Sequence, residues 1–129
     1  MSATSNTTYT LKINEETTGR PITNIADLLQ KLQALKTPGE TIITLEVSPL
    51  VDGVILIQGV SRIGIKKGFL QKARHYEIYD IALTRQESDG SFRLYASYLK
   101  EFADIEQFFS DFFEQQIVPD TSSKEWEKM

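Results

Sequence analysis

Two stretches of the chain repeat apolar residues at the three-and-four spacing of an amphipathic helix. The first follows the possible N-caps Thr23 and Asn24 and is expected to end at Thr37-Pro38-Gly39. The second is predicted from about Ile105 to Gln116, with Asp104 as its N-cap. The two apolar stripes consist of Ile25, Leu28, Leu29, Leu32 and Leu35, and of Ile105, Phe108, Phe109, Phe112 and Phe113.

Segments in which apolar and polar residues alternate predict β-strands. Asp52-Gly53 and Glu87–Gly90 are typical of the turns that join such strands, and Pro49 is expected to end the strand before the first turn. The segment Ser61–Leu70 contains Gly64 and Gly68, and it predicts either a short strand or an irregular loop. The predicted strands are 8–14, 41–47, 54–60, 75–85 and 91–99.

The resulting order, β-α-β-β-(β)-β-β-α, predicts an α+β fold. Because short turns join consecutive strands, we expect an antiparallel sheet of about five to six strands with two helices packed on one face. The length of 129 residues fits one domain. Residues 1–7 are expected to form a flexible polar leader, and residues 118–129 a polar tail.

Charge is distributed unevenly along the chain. The net charge is −4, but residues 61–100 carry +4 and residues 101–129 carry −6. Such a distribution fits either a fold whose acidic end lies near its basic middle, or an acidic face offered to a basic partner. The acidic balance argues against direct binding of nucleic acid.

Several features indicate a cytoplasmic protein that does not bind membranes. The chain has no cysteine, which excludes disulfides, thiolate zinc sites and a cysteine nucleophile. Its apolar runs are far shorter than the ~20 residues that cross a bilayer. Residues 1–10 have neither the basic start nor the apolar stretch of a signal peptide.

No motif predicts catalysis, a cofactor or a metal site. His75 is the sole histidine, and no nucleophile motif accompanies it. The basic, glycine-containing segment 64–68 does not match a phosphate-binding loop. Spacing alone does not show that any two carboxylates converge for acid–base catalysis. The candidate carboxylates are Glu46, Glu77 and Asp80.

Three features carry a resemblance to a known family. They are the early helix Ile25–Leu35 before paired strands, the glycine-containing strand Val54–Gly59, and the ending F-F-E-Q-Q-I-V-P-D-T-S-S-K-E-W, in which Pro119 and Trp126 follow an aromatic helix. This layout resembles bacterial immunity proteins of polymorphic-toxin and contact-dependent growth inhibition systems. The resemblance implies a small cytoplasmic α+β protein that binds and neutralises a cognate toxin domain, often a nuclease or deaminase.

Charge and expected exposure suggest where such a partner would bind. A nuclease is commonly basic because it holds phosphates, so an acidic face can steer association and cover its active or substrate-binding surface. The candidate acidic contacts are Asp111, Glu114, Asp120 and Glu125. Trp126 is predicted either to fold back on the core or to anchor the interface.

Two other hypotheses stay open. The chain is alternatively a small-molecule-binding domain or a small enzyme, in which a curved sheet and helices enclose an apolar pocket. The third possibility is a homo-oligomeric structural subunit. The aromatic lining of the hypothetical pocket would be Tyr76, Tyr79, Phe92, Tyr95 and Tyr98.

Overall fold

Alternating residues in the strands build an apolar row on one face of an antiparallel sheet. The computed structural model describes residues 7–14, 18–37, 41–67, 73–123 and 126–128, with the backbone alone for 62–67 and 73–77. Within these residues seven strands lie in the order β2-β1-β3-β4-β5-β6-β7, which confirms the α+β class and slightly exceeds the predicted strand number. The elements are β1 Thr8–Ile13, β2 Arg20–Ile22, α1 Ile25–Leu32, β3 Ile42–Val51, β4 Val54–Lys67, β5 Ala73–Gln86, β6 Phe92–Leu99, α2 Phe102–Gln115 and β7 Glu127–Lys128.

The helix α2 crosses the apolar face of the sheet from β5 to β1. At one end the ring of Phe102 lies 5.8 Å from that of Tyr79, and at the other the ring of Phe112 lies 6.0 Å from that of Tyr9. Midway it passes over Gly59, where an added Cβ would lie 2.7 Å from Cδ1 of Ile105. The absence of a side chain at Gly59 therefore lets the helix approach the sheet closely.

The helix α1 packs beside α2 on the same face. Of the two predicted N-caps, Asn24 is the one observed. Its Oδ1 accepts a 2.8 Å hydrogen bond from the amide of Asp27. The chain tightens into a 3-10 turn over Gln33–Lys36. The side chains Leu28, Leu32 and Leu35 are fully buried in the core.

The prediction that Pro49 ends a strand is wrong. β3 continues to Val51, and its pairing with β4 shifts register between Glu46 and Val51. The pairing with β1 on the other side extends only to Ser48. The missing N–H of Pro49 therefore falls where both ladders are already interrupted, a position in which a strand tolerates proline.

The segment Ser61–Leu70 contains no separate strand among its described residues. Instead β4 runs through Gly64 to Lys67, opposite β5. The pairing of β4 with β3 stops at Val60, and that of β5 with β6 stops at Tyr79. Beyond these points the described parts of β4 and β5 pair only with each other, as a two-stranded ribbon.

The predicted start of the second helix is wrong by one turn. α2 begins at Phe102 with Glu101 as its N-cap, and Glu101 makes no capping hydrogen bond through its side chain. Asp104 lies in the first turn, where its charge suits the helix dipole. The contact between Phe102 and Tyr79 extends the helix towards its N-terminus. The short strands β2 and β7 were not predicted either.

Candidate functional site

A cleft of about 1080 Å³ opens between α2, the end of β6 and the C-terminal segment. It combines aromatic and aliphatic walls with several carboxylates. Its lining consists of Asp80, Ile81, Ala96, Ser97, Tyr98, Leu99, Lys100, Asp104, Gln107, Phe108, Asp111, Pro119, Trp126 and Glu127.

One side of the cleft is a face of α2. Asp104, Gln107 and Asp111 are spaced by three and four residues, which places them on the same side of the helix. The side-chain amide of Gln107 donates a 2.6 Å hydrogen bond to Oδ1 of Asp111. This bond restrains the Asp111 carboxylate at the cleft.

The C-terminal segment forms the opposite side because the chain reverses after α2. Gln116 adopts left-handed backbone angles, and the amide of Ile117 donates to the carbonyl of Asp111 over 3.1 Å. Farther along, Nη1 of Arg85 donates a 3.0 Å hydrogen bond to Oγ1 of the buried Thr121. The segment then pairs with β6 as β7.

Trp126 is folded back on α2 and also borders the cleft. Its ring centroid lies 6.4 Å from that of Phe108, at an interplanar angle of 42°. The side chain is half-buried against the core. The two hypotheses for this residue are therefore compatible, since packing against Phe108 holds the indole at the wall of the cleft.

The described lining carries a net charge of −3. Asp80, Asp104, Asp111 and Glu127 contribute the negative charges, and Lys100 is the positive one. Within the described part of the chain, Asp104, Asp111 and Glu127 make no salt bridge. Strand pairing places Asp80 and Glu127 on the face of the sheet away from α2, so the charges on the α2 side of the cleft are those of Asp104 and Asp111.

The predicted contact residues divide into three groups. Asp111 and Trp126 both line the cleft. Glu114 and Asp120 are exposed but lie outside its lining, and Glu125 is outside the described residues. The hydroxyl of Ser122 donates to Asp120, and together with the Ser122 amide it lowers the pKa of the Asp120 carboxyl. The Asp120 carboxylate therefore accepts hydrogen bonds from Ser122 within the turn that it begins.

The aromatic residues proposed for an apolar pocket do not share one surface. Tyr79 and Tyr95 are buried, whereas Phe92 and Tyr98 are exposed and belong to the opposite alternation of the sheet. Of these four, Tyr98 alone lines the cleft. The side chain of Tyr76 is outside the described part of the structure.

Among the described side chains, no two of the candidate catalytic carboxylates lie together. Glu46 lies on β3 in a 3.1 Å salt bridge with Lys12, and β4 separates β3 from Asp80 on β5. The side chains of Glu77 and His75 are not among those described. The described residues include no group of three or more His, Asp or Glu side chains that could hold a metal ion.

Several cleft residues were not predicted. Asp104 could have been predicted, because it lies seven residues before Asp111 and therefore on the same side of the helix. Asp80, Lys100 and Glu127 come from other elements, so only the tertiary fold brings them to the cleft.

The chain matches no protein-family model, no curated protein and no solved structure. Among the described residues, no helix is long and apolar enough to cross a membrane.

Proposed function

We propose that this protein is an immunity protein that binds a cognate bacterial toxin domain through the cleft beside α2 and so neutralises it. A basic nuclease domain is the toxin class that the charge of the cleft favours. The observation that carries the proposal is that Asp104 and Asp111 on α2, which make no salt bridge among the described residues, line the same cleft as the half-buried Trp126. On this proposal the cleft has a binding role and no catalytic one.

On this proposal Trp126 anchors the partner and the acidic lining steers its approach. Tryptophan is enriched among the residues that contribute most to binding at protein interfaces. The contact with Phe108 fixes the position of the Trp126 indole before a partner binds. The net negative lining raises the rate of encounter with a basic surface, an effect that salt screens. A cover of this kind would occupy the phosphate-binding groups of a nuclease.

The proposal is tested with the partner captured from the native host by the tagged protein. We expect one basic toxin domain to co-purify, and its toxicity in cells to be suppressed by co-expression of this protein. Replacing Asp104→Lys and Asp111→Lys together should slow association at least about tenfold at low salt. Protection should be lost in parallel.

Glu114→Lys is the matched control, since it reverses a charge on the same helix outside the cleft. It should change association much less than the double cleft variant. Circular dichroism and urea unfolding establish that all variants are folded. If the double cleft variant binds the captured partner at the wild-type rate, the cleft is not the binding site and the proposal fails.

A further inference from the structure

We infer that the C-terminal segment, described for residues 117–123 and 126–128, opens and closes as one unit while the rest of the fold stays intact. In the closed arrangement it provides one side of the cleft beside α2, through Pro119 and Trp126. Opening therefore removes that side and leaves the face of α2 uncovered. This inference goes beyond the proposed function and does not depend on it, because it is tested on this chain alone.

The C-terminal segment is hydrogen-bonded within itself. The hydroxyl and the amide of Ser122 both donate to Oδ1 of Asp120, at 2.6 and 3.0 Å. The amide of Ser123 donates to the carbonyl of Asp120 over 3.3 Å, and the amide of Trp126 donates to the carbonyl of Ser123 over 3.2 Å. Because these bonds join residues of the segment to one another, they need not break when the segment leaves the sheet.

The attachment of the C-terminal segment to the core is shallow. Among its described residues no apolar side chain is fully buried, since Ile117 is 46% exposed and Trp126 is half-buried. The helix before it is fully buried at Ile105, Phe109 and Phe112. Apolar burial is the main favourable term in folding, so the segment is held less firmly than α2 and should open at a lower free energy.

A few specific contacts close the C-terminal segment. Nη1 of Arg85 donates a 3.0 Å hydrogen bond to Oγ1 of Thr121, which is 9% exposed. The ring of Trp126 packs on that of Phe108. The pairing of β7 with β6 covers only two residues of each strand. A ladder of this length contributes little by itself, so the bond between Arg85 and Thr121 should contribute substantially to closure.

Gln116 is the hinge of this motion. It ends α2 with φ of 54° and ψ of 36°, and these angles turn the chain back towards β6. Left-handed angles are unfavourable for an L-residue with a Cβ, so the closed path is strained at this residue. Rotation about the backbone of Gln116 redirects the whole segment that follows it.

Trp126 is the only tryptophan of the chain, so its fluorescence follows the C-terminal segment. Far-ultraviolet circular dichroism follows the sheet and the two helices instead. In a urea titration we expect the fluorescence to change at a lower urea concentration than the circular dichroism. Transitions that do not coincide indicate that one part of a protein opens before the rest.

A disulfide can hold the C-terminal segment closed. Ala96 of β6 lies directly opposite Glu127 of β7, and the chain has no cysteine of its own. Ala96→Cys combined with Glu127→Cys should therefore form a single cross-strand disulfide. In the oxidised protein the fluorescence transition should move to the urea concentration of the circular dichroism transition. The reduced form of the same protein is the matched control and should keep the two transitions apart.

A second pair of variants tests the contact that closes the segment. Thr121→Val keeps the shape of the side chain and removes the acceptor of the Arg85 bond. It should raise the equilibrium constant for opening at least about threefold, and it should leave the circular dichroism transition in place. Ser122→Ala is the control, because it removes a 2.6 Å hydrogen bond that lies within the segment. It should leave the opening constant unchanged.

Two results would overturn the inference. One is a single urea transition shared by fluorescence and circular dichroism in the wild-type protein. The other is a separate fluorescence transition that stays in place when the cysteine pair is oxidised. Neither measurement involves a toxin, so either result leaves the test of the proposed function unaffected.

Discussion

The hydroxyl of Tyr9 donates a 3.2 Å hydrogen bond to the backbone carbonyl of Phe112, which joins the strand β1 to the last turn of α2. The ring of Tyr9 also contacts the rings of Phe112 and Phe113, at centroid distances of 6.0 and 4.7 Å. This contact fixes the end of the helix from which the C-terminal segment departs towards the cleft.

Tyr9→Phe should lower the free energy of unfolding by about 0.5–1.5 kcal/mol, because it removes the hydrogen bond and keeps the ring. The amide of Gln116 donates to the same carbonyl over 3.1 Å, so the acceptor is not left unsatisfied. Urea unfolding measures the change. Tyr98→Phe, at a ring that is 54% exposed, is the control and should be nearly neutral. An unchanged Tyr9→Phe variant would show that the bond contributes nothing.

α2 lies close to the sheet at Gly59. A Cβ there would lie 2.7 Å from Cδ1 of Ile105 and 3.0 Å from Cε2 of Phe109. Gly59→Val should therefore destabilise the protein by about 1–3 kcal/mol through overpacking, and Gly59→Ala by less. Shortening the neighbour should relieve the strain, so Gly59→Ala combined with Ile105→Val should cost less than the sum of the single changes. Additive costs in urea unfolding would argue against the close approach.

The two helices begin with different N-caps, which allows a matched comparison. Asn24 accepts a hydrogen bond from the amide of Asp27, whereas Glu101 makes none through its side chain. Asn24→Ala should cost about 0.5–2 kcal/mol of stability. Glu101→Ala should cost only a few tenths of a kcal/mol, since no capping bond is lost. Equal losses measured by thermal or urea unfolding would contradict the assigned caps.

Glu87 links the β5–β6 turn to the strands beside it. The hydroxyl of Tyr95 donates to Oε1 of Glu87 at 2.5 Å, and Nζ of Lys128 lies 3.6 Å from the same oxygen. The Tyr95 hydrogen bond is the main cause that lowers the pKa of Glu87 from its ordinary 4.5, and the charges of Lys128 and Arg93 act in the same direction.

A lowered pKa in the folded state means that Glu87 stabilises the protein at pH values above its ordinary pKa. This contribution is lost as the pH falls through the depressed pKa of the folded state. Glu87→Gln should therefore be less stable than the wild type near pH 7, and the difference should shrink as the pH falls below 4.5. Urea unfolding of both proteins across this range measures it. A difference that grows on acidification would reverse the assigned sign.

Local patterns predicted most of the fold because strong periodicity and turn residues agree in those segments. The stripe of α1 and the turn at Asp52-Gly53, where φ is positive at both residues, follow from short-range rules. Pro49 and the start of α2 were mispredicted because tertiary surroundings outweighed a local signal. At Pro49 the ladder was already irregular, and at Phe102 burial against Tyr79 added a helical turn.

The candidate site was less predictable than the fold. The charge distribution indicated the acidic C-terminal region and Trp126 as a binding surface. Two of the predicted contact residues, Asp111 and Trp126, line the cleft. Nothing local linked Asp80 or Lys100 to them, because the cleft forms only when α2, β6 and β7 meet. Charge identified the C-terminal region, whereas the path of the chain after Gln116 determines which of its residues border the cleft.

The two-stranded ribbon at the far end of β4 and β5 has a consequence for how the molecule opens. Among the described residues no third strand lies beside this ribbon. Farther in, β3 and β6 flank the same two strands. Amide hydrogen exchange should therefore proceed in two stages. Ribbon amides should exchange through local opening of the two strands, whereas the amides of Leu45 and Ile57 should exchange only on global unfolding.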